Sequence, residues 1–324
     1  VVTVATKVIA ATAKPTISGT PSVSQVNSIA AVTGNVTATV GDSASNIAGL
    51  TTAATDVITI TINDAAYDSV SNDVTVAATD LSTAGGSTSA TVTVTNAIKI
   101  AGTLAECVAT LKTDASKVVA ATALVAISDA PITSSDANVI ALNNVTSATS
   151  GVVTASFASS AIARLASLTT ASTDVITLIV SDSVTVTQGN TLVGKTSGNV
   201  TFAGVKDAHN NMITSAAIST NLSNILANGG ADALKITVNG TIDDITADEV
   251  TAMNLITDAT TGNVTASIDG NTAQLKLLST NASQTATCNF TITVNDKPNL
   301  ADAKTILTTT SKTTYQITNG IEDT

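Results

Sequence analysis

A stretch of fourteen residues in the first quarter of the chain returns later almost unchanged. TTAATDVITITIND, from Thr51 to Asp64, reappears 118 residues further on as TTASTDVITLIVSD, from Thr169 to Asp182, with nine of its fourteen residues kept. A shortened version, FTITVND, ends at Asp296. This recurrence constrains the fold more than any single motif does, because self-similarity at a fixed period is typical of chains built from stacked supersecondary units.

Two further sets of segments keep the same register. VTGNVTATV at Val32 returns as ATSGVVTASF at Ala148 and ATTGNVTASI at Ala259, and KVIAATA at Lys7 returns as KVVAATA at Lys117. Together they predict a unit of about 114 residues. The predicted division is an N-terminal strand segment over 1–16, repeat units over 17–131 and 132–244, and a partial unit over 245–324.

Apolar residues alternate strictly with Thr in DVITITIND and in ATVTVTN. Because successive side chains of a strand point to opposite faces, one face enters a core and the other presents Thr to water. A parallel sheet buried on both faces reads instead as a continuous apolar run. With a mean spacing of about 28 residues, strands are predicted to begin near Val36, Val57, Thr91, Leu124, Val152, Val175, Val200, Leu234, Val264, Phe290 and Tyr315.

Helical signals lie between these strands. TADE, from Thr246 to Glu249, has the capping-box form in which Thr accepts from a backbone amide and Glu reaches back. Val250, Met253 and Ile256 follow at helical spacing. An earlier set with the same spacing consists of Val139, Leu142 and Val145. The glycines that follow in SG and TG, Gly151 and Gly262, are predicted to end these helices.

The predicted fold class is therefore α/β: an elongated tandem-repeat array of short strand-helix units with one Thr-rich exposed sheet face. Thr and Val lower helix propensity and favour strands, so an alternative stays open. In that alternative the chain forms all-β tandem sandwich modules, and the apparent helical stripes are loops and short strands.

Composition excludes several classes of function. The chain carries 24 acidic against 13 basic residues, of which Arg164 alone is an arginine, and only 2% of its residues are aromatic. A net charge of −11 repels a phosphate backbone, and the Arg and aromatic groups that contact nucleic acids are scarce, so nucleic-acid binding is not expected. No apolar run reaches the roughly 18 residues that a membrane span needs. The chain is expected to have no membrane span.

Candidate chemical groups are few. His209 is the single histidine and is predicted to be a solvated loop residue, while Cys107 and Cys288 are predicted to be buried free thiols, with a long-range disulfide as the alternative. Asp56 and Asp174 precede repeated strands and are predicted to bind turn amides. No catalytic or cofactor-binding residue is predicted, and the chain is not expected to be an enzyme.

Acidic turns supply the weak candidates for a metal site. IDD and DGN offer carboxylate oxygens that Ca²⁺ accepts as ligands, which gives Asp243, Asp244 and Asp269 as the candidate residues. The turns match neither an EF-hand loop nor the nonapeptide repeat of calcium-binding β-helices. The alternative is plain turn chemistry, since Asp, Asn and Gly all favour turns.

The phrasing of the repeats resembles that of known surface proteins. Segments such as ATTGNVTASI and LTTASTDVITLIVSD resemble the tandem-repeat regions of large secreted bacterial surface proteins, cyanobacterial ones among them, of S-layer-like or adhesin-like type. The resemblance covers nearly the whole chain. It implies an extracellular or cell-surface location and a structural or adhesive role, and it transfers no site residues.

Two functions follow as expectations. The first is a non-enzymatic structural protein of an extracellular surface layer, sheath or filament, in which copies associate through strand edges and Thr-rich faces. VVTVATKVIAATA, at the N-terminus, is a candidate strand for addition to a neighbour's sheet. Neither end carries an evident polar cap, which favours an excerpt of a longer array or ends completed by a neighbouring subunit. The second function is an adhesin stalk or a binding module for a glycan, mineral or ice surface.

Overall fold

The computed structural model describes residues 12–113, 117–228, 233–278, 288–309 and 314–322. The chain divides into two compact units, the first formed by 1–158 and 168–176 and the second by 159–167 and 177–324. Most of VVTVATKVIAATA lies outside the described residues, so its predicted role as an added strand stays a prediction. The predicted repeat boundaries describe a sequence period, and the division into compact units does not test them.

Short strands and helices alternate along the first unit. Its strands are β1 (Thr37–Asp42), β2 (Val57–Ile62), β3 (Thr75–Ala77), β4 (Val92–Val94), β5 (Lys99–Gly102), β6 (Val118–Val119), β7 (Leu124–Ile127) and β8 (Val153–Ser156). Its helices are α1 (Val23–Ala30), α2 (Ala44–Ile47), α3 (Ala78–Gly86), α4 (Leu104–Leu111) and α5 (Asp136–Thr146). The eight strands pair in parallel with their neighbours and form two sets, of order β1-β2-β4-β6 and β3-β5-β7-β8.

The second unit has longer strands. Its strands are β9 (Val175–Val184), β10 (Val200–Ala208), β11 (Ile213–Thr214), β12 (Ala217–Ile218), β13 (Ile236–Ile242), β14 (Val264–Gly270), β15 (Cys288–Val294) and β16 (Thr314–Ile317). Its helices are α6 (Ile162–Leu165), α7 (Val186–Val193), α8 (His209–Met212), α9 (Thr220–Ala227), α10 (Ala247–Asp258), α11 (Thr272–Leu275) and α12 (Leu300–Thr309). Strands β9-β10-β13-β14-β15-β16 pair in parallel in that order, and β11 with β12 forms an antiparallel hairpin.

This arrangement confirms the mixed α/β class and shows the all-β sandwich alternative to be wrong. Parallel neighbours cannot be joined by a tight hairpin and need a crossover connection. The two predicted apolar stripes supply such crossovers as helices: α5 buries Val139, Leu142 and Val145, and α10 buries Val250, Met253 and Ile256. Their low intrinsic propensity is overridden because the crossover buries an apolar face against the sheet.

The strand pattern follows the predicted alternation. In β2 the residues Ile58, Ile60 and Ile62 are buried, whereas Val57 and Thr59 are exposed and Thr61 is half-buried. β14 and β15 bury alternate residues in the same way. Each of the eleven predicted strand starts lies within two residues of an observed strand. One face of β2, β14 and β15 therefore belongs to the core, and the other carries mostly polar side chains.

One predicted role is wrong. Gly151 and Gly262 do not end the helices before them, since α5 ends at Thr146 and α10 at Asp258. Both glycines instead pass close to neighbouring backbone. A Cβ at Gly151 would collide with the carbonyl oxygen of Ala123, and one at Gly262 with that of Leu234. Glycine stands at these positions because two chain segments approach too closely for any side chain.

Candidate functional site

The repeated aspartates Asp64, Asp182 and Asp296 all make the same contact. Asp64 and Asp296 lie just beyond the C-terminal ends of β2 and β15, and Asp182 lies near the C-terminal end of β9. Each accepts a hydrogen bond from the first backbone N–H of the short helix that precedes its strand. The donors are Ala44 for Asp64 (2.7 Å), Ile162 for Asp182 (2.9 Å) and Thr272 for Asp296 (3.0 Å). Because the first amides of a helix lack intrahelical partners, these carboxylates stabilise the starts of α2, α6 and α11.

Two further aspartates make this contact at places that the sequence pattern did not single out. Asp129 accepts from the N–H of Leu104 at 2.6 Å, at the start of α4, and Asp207 accepts from that of Val186 at 3.0 Å, at the start of α7. The carboxyl ends of parallel strands meet at one edge of a sheet, which brings each aspartate beside the helix that leaves the neighbouring strand. The contact is thus a recurrent property of the strand-helix unit.

Asp56 and Asp174 act where strands begin, as predicted. Asp56 accepts from the N–H groups of Val36 and Ala53, both at 2.7 Å. Asp174 accepts from those of Val153 and Ala171, both at 2.8 Å. Both carboxylates are buried, and each oxygen atom is held by a backbone amide. They bind the turn and the neighbouring strand together.

Asparagines form a third recurrent link, which sequence reasoning missed. The side-chain oxygen of Asn27 accepts from the N–H of Thr51, and that of Asn143 accepts from the N–H of Thr169, both at 2.9 Å. Asn254 instead donates through Nδ2 to the carbonyl oxygen of Leu277, also at 2.9 Å. These three asparagines are 116 and 111 residues apart, close to the sequence period of about 114 residues. That spacing was the signal from which their shared role could have been predicted.

Hydroxyl side chains line the polar face of the second unit's sheet in register. The set that we term the hydroxyl row comprises Thr241, Ser267, Thr291 and Thr314, which are register partners on β13, β14, β15 and β16. Neighbouring strands place them about 4.8 Å apart. Within the described part of the chain, none of the four hydroxyls hydrogen-bonds to another protein group.

A similar pattern is present on the first unit's sheet β1-β2-β4-β6. Thr39 is the register partner of Thr59, and Thr61 that of Thr93. Three of these side chains are exposed and Thr61 is half-buried. The face carries neither aromatic nor charged groups at these positions, so it offers methyl and hydroxyl groups only.

The calcium candidates lie near one another in the second unit. Asp243 and Asp244 follow β13, where Asp244 has a positive φ of 51° and its Oδ1 accepts from Nδ2 of Asn295 at 3.4 Å. Asp269 lies on β14, and its Oδ1 is enclosed without a hydrogen-bond partner among the described residues. The described ranges contain no group of three or more His, Cys, Asp or Glu side chains placed to hold a metal. Calcium binding stays a prediction.

The histidine and cysteines lie elsewhere. His209 begins the short helix α8 and is not in a loop; its Nε2 lies 3.7 Å from Oε1 of Glu249, the capping-box residue of α10. Cys107 and Cys288 are buried free thiols. Burial, with smaller contributions from Glu106 and Asp129, raises the pKa of Cys107 to about 12, and burial also raises the pKa of Cys288. Thiols held protonated in this way are poor nucleophiles.

A groove of 580 Å³ lies between α4 and α5. The described residues that line it are mostly Ala, Val, Leu and Thr, and Asp129 is the one titratable residue among them. One oxygen of that carboxylate already accepts from the amide that starts α4. The groove therefore offers packing surface and no pair of groups for proton transfer.

Among the described strands, the last one of the second unit is paired on one side only. β16 pairs with β15 on one side, and no described strand pairs with its other side. An unpaired edge presents a row of backbone donors and acceptors that templates pairing with another chain.

No helix among the described residues is long and apolar enough to cross a lipid bilayer. No protein-family model, curated protein or solved structure matches the chain.

Proposed function

We propose that the chain is a non-enzymatic structural repeat protein of an extracellular surface layer, sheath or filament. In this proposal the strand-helix units form an elongated tandem-repeat array, and copies associate through strand edges and Thr-rich faces. Copies of the same chain are its partners. The extracellular location follows from the resemblance of the repeats to secreted bacterial surface proteins.

One observation carries the proposal: the same carboxylate-to-amide contact recurs at Asp64, Asp182 and Asp296, in step with the sequence period. The regular spacing of these aspartates places the same link between a helix and the strand that follows it in every repeat. Such a chain is organised as a repeated scaffold. The aspartates that the repeat preserves are engaged by backbone amides and are not free for chemistry. A repeated scaffold presents an extended, regular surface, which suits association with other copies better than catalysis at one site.

Sedimentation velocity over a wide concentration range, combined with electron microscopy of the purified chain, tests the proposal. We expect the average mass to rise with concentration and uniform polymers to form. A chain that stays monomeric at every concentration, with or without added Ca²⁺, would contradict it. The samples with added Ca²⁺ separate assembly that needs the ion, for which Asp243, Asp244 and Asp269 are the candidate ligands, from assembly that does not.

A second function, an adhesin stalk or binding module for a glycan, mineral or ice surface, is favoured by the hydroxyl row. Thr241, Ser267, Thr291 and Thr314 have no hydrogen-bond partners within the described chain and lie at regular spacing. Such a face suits a flat, repeating ligand. Dispersed monomers that bind an immobilised glycan or retard ice growth would support this function in place of the first.

A further inference from the structure

The C-terminal edge of the second unit leaves part of its apolar layer uncovered. Ile242, Ile268 and Ile292 are register neighbours on the core face of β13, β14 and β15, and each is about 1% exposed. Tyr315, the next register partner on β16, is only half-buried as a residue, although its hydroxyl oxygen is itself enclosed without a hydrogen-bond partner among the described residues. Within the described part of the chain, the layer therefore ends at β16, where Tyr315 is covered less completely than the three isoleucines.

Helix α12 has an apolar flank on the same side. Asp302 faces α11, because its carboxylate pairs with Nζ of Lys276 at 2.9 Å, directly after that helix. At 100° per residue, Leu300 and Leu307 lie about 140–160° around the axis from Asp302. Their side chains are 71% and 53% exposed. They therefore project from the flank of α12 that faces away from the rest of the unit's helices.

No described strand pairs with the backbone of β16 on that side either. The N–H of Thr318 bonds to Val294 of β15, and alternate residues of a strand point their amides to the same side. The amides of Tyr315 and Ile317 accordingly point away from β15. Since every strand of this sheet is parallel to its neighbours, the layer that completes it needs a parallel strand with a helix on the core side.

The first unit begins with a layer of that kind. Residues 13–17 run parallel to β1, with the N–H of Ile17 bonded to the carbonyl of Thr37 and the N–H of Thr37 bonded to the carbonyl of Pro15. No described residue pairs with the other side of this segment. Helix α1 follows it, and an apolar groove of 480 Å³ opens beside both, lined in part by Pro15, Ile17, Pro21 and Ile29.

We propose that the β16 edge of one copy pairs in parallel with residues 13–17 of a second copy, and that Leu300 and Leu307 then pack into the groove beside α1. The helix spacing agrees with this. Residues 13–17 would lie two strands beyond β15, at about 9.6 Å, and packed helix axes lie 8–10 Å apart. Because the two surfaces differ, the contact is heterologous and continues into an open filament.

This inference rests on the proposed self-association and names the contact that drives it. The test compares the double substitution Leu300→Lys/Leu307→Lys with Leu255→Lys/Leu277→Lys, which changes two exposed leucines of the same unit away from the β16 edge. We expect the first variant to weaken association at least about tenfold in sedimentation, because two apolar side chains lose their contact. The second variant should associate like the parent chain.

Amine cross-linking of an equal mixture of ¹⁴N- and ¹⁵N-labelled chains locates the contact. We expect mixed-isotope cross-links from Lys14 of one copy to Lys297 or Lys304 of another. If the chain assembles but both leucine variants assemble equally, or if cross-links join other surfaces, the edge contact is refuted while self-association stands. If the parent chain never assembles, both proposals fail.

Discussion

Oδ1 of Asp182 accepts a 2.9 Å hydrogen bond from the backbone N–H of Ile162, twenty residues earlier and at the start of α6. The first prediction follows from this contact. Asp182→Ala is expected to destabilise the chain by about 1 kcal/mol, since a helix amide loses its acceptor. Asp182→Asn keeps an acceptor oxygen and should cost less. Urea unfolding followed by circular dichroism measures both.

The matched control for Asp182 is Asp258→Ala, which removes an exposed carboxylate that makes no hydrogen bond to any described residue. Surface changes of this kind stay within about 0.5 kcal/mol. Equal effects of Asp182→Ala and Asp258→Ala would show that the repeated aspartate has no stabilising role.

The second prediction concerns Gly262. Gly262→Ala places a methyl group against the carbonyl groups of Ala233 and Leu234, and backbone atoms cannot move aside as a flexible side chain can. We expect a loss of about 2–3 kcal/mol, as in overpacked cores. Gly86→Ala, at the end of α3 with open space around its Cα, should be neutral or slightly stabilising. Thermal unfolding distinguishes the two, and a neutral Gly262→Ala would contradict the close approach.

The third prediction concerns thiol reactivity. With its pKa raised from 9.0 to about 12, Cys107 is thiolate in only about one molecule in 10⁴ at pH 8. Alkylation of the folded chain should therefore be slow and should accelerate about tenfold per pH unit until the pKa is reached. Mass spectrometry after iodoacetamide treatment checks this. Rapid labelling of Cys107 at pH 8 without denaturant would overturn it.

The same shift affects stability. The folded state holds the thiol of Cys107 protonated more tightly than the unfolded state does, so its contribution is complete below pH 9 and is lost as pH rises from 9 towards 12. Cys107→Ala should reduce that part of the alkaline loss of stability. Urea titrations at pH 8 and pH 10 on both chains measure the difference.

The fourth prediction addresses the hydroxyl row. Thr291→Lys places a charge on the polar sheet face between Ser267 and Thr314 and touches no core residue. We expect unfolding free energy to change by less than about 0.5 kcal/mol. Association that uses this face should weaken, and binding of a flat ligand should be lost. Unchanged assembly and ligand binding together would remove the row from both proposed functions.

Much of the fold was predictable because its signals are local. The alternation in β2 and β9 and the capping box at Thr246 each depend on a few adjacent residues, and they correctly predict strands and α10. β3, β5 and β6 were missed because they are short and lie outside any long alternation of apolar residues with Thr such as the one around β2 and β4. Nor did any local pattern indicate the β11–β12 hairpin.

Tertiary relationships were harder to predict. Gly151 and Gly262 follow helices, so local rules assign them to helix ends, whereas the true cause is a carbonyl from a segment about 28 residues earlier. The roles of Asp129 and Asp207 likewise depend on which strand ends lie side by side. Of the candidate site, the Thr face was predictable from alternation, but the register that aligns Thr241, Ser267, Thr291 and Thr314 was not.

The aspartate contact also bears on how the chain comes apart. Asp64, Asp182 and Asp296 each lie near or just beyond the C-terminal end of the strand that follows the helix they cap, so the start of that helix is not capped until the strand has docked. A layer that frays at a free end uncaps the one behind it. Unfolding should then proceed layer by layer from an exposed terminal layer inward. A partner that binds and stabilises the terminal layer would therefore also protect layers that it does not contact.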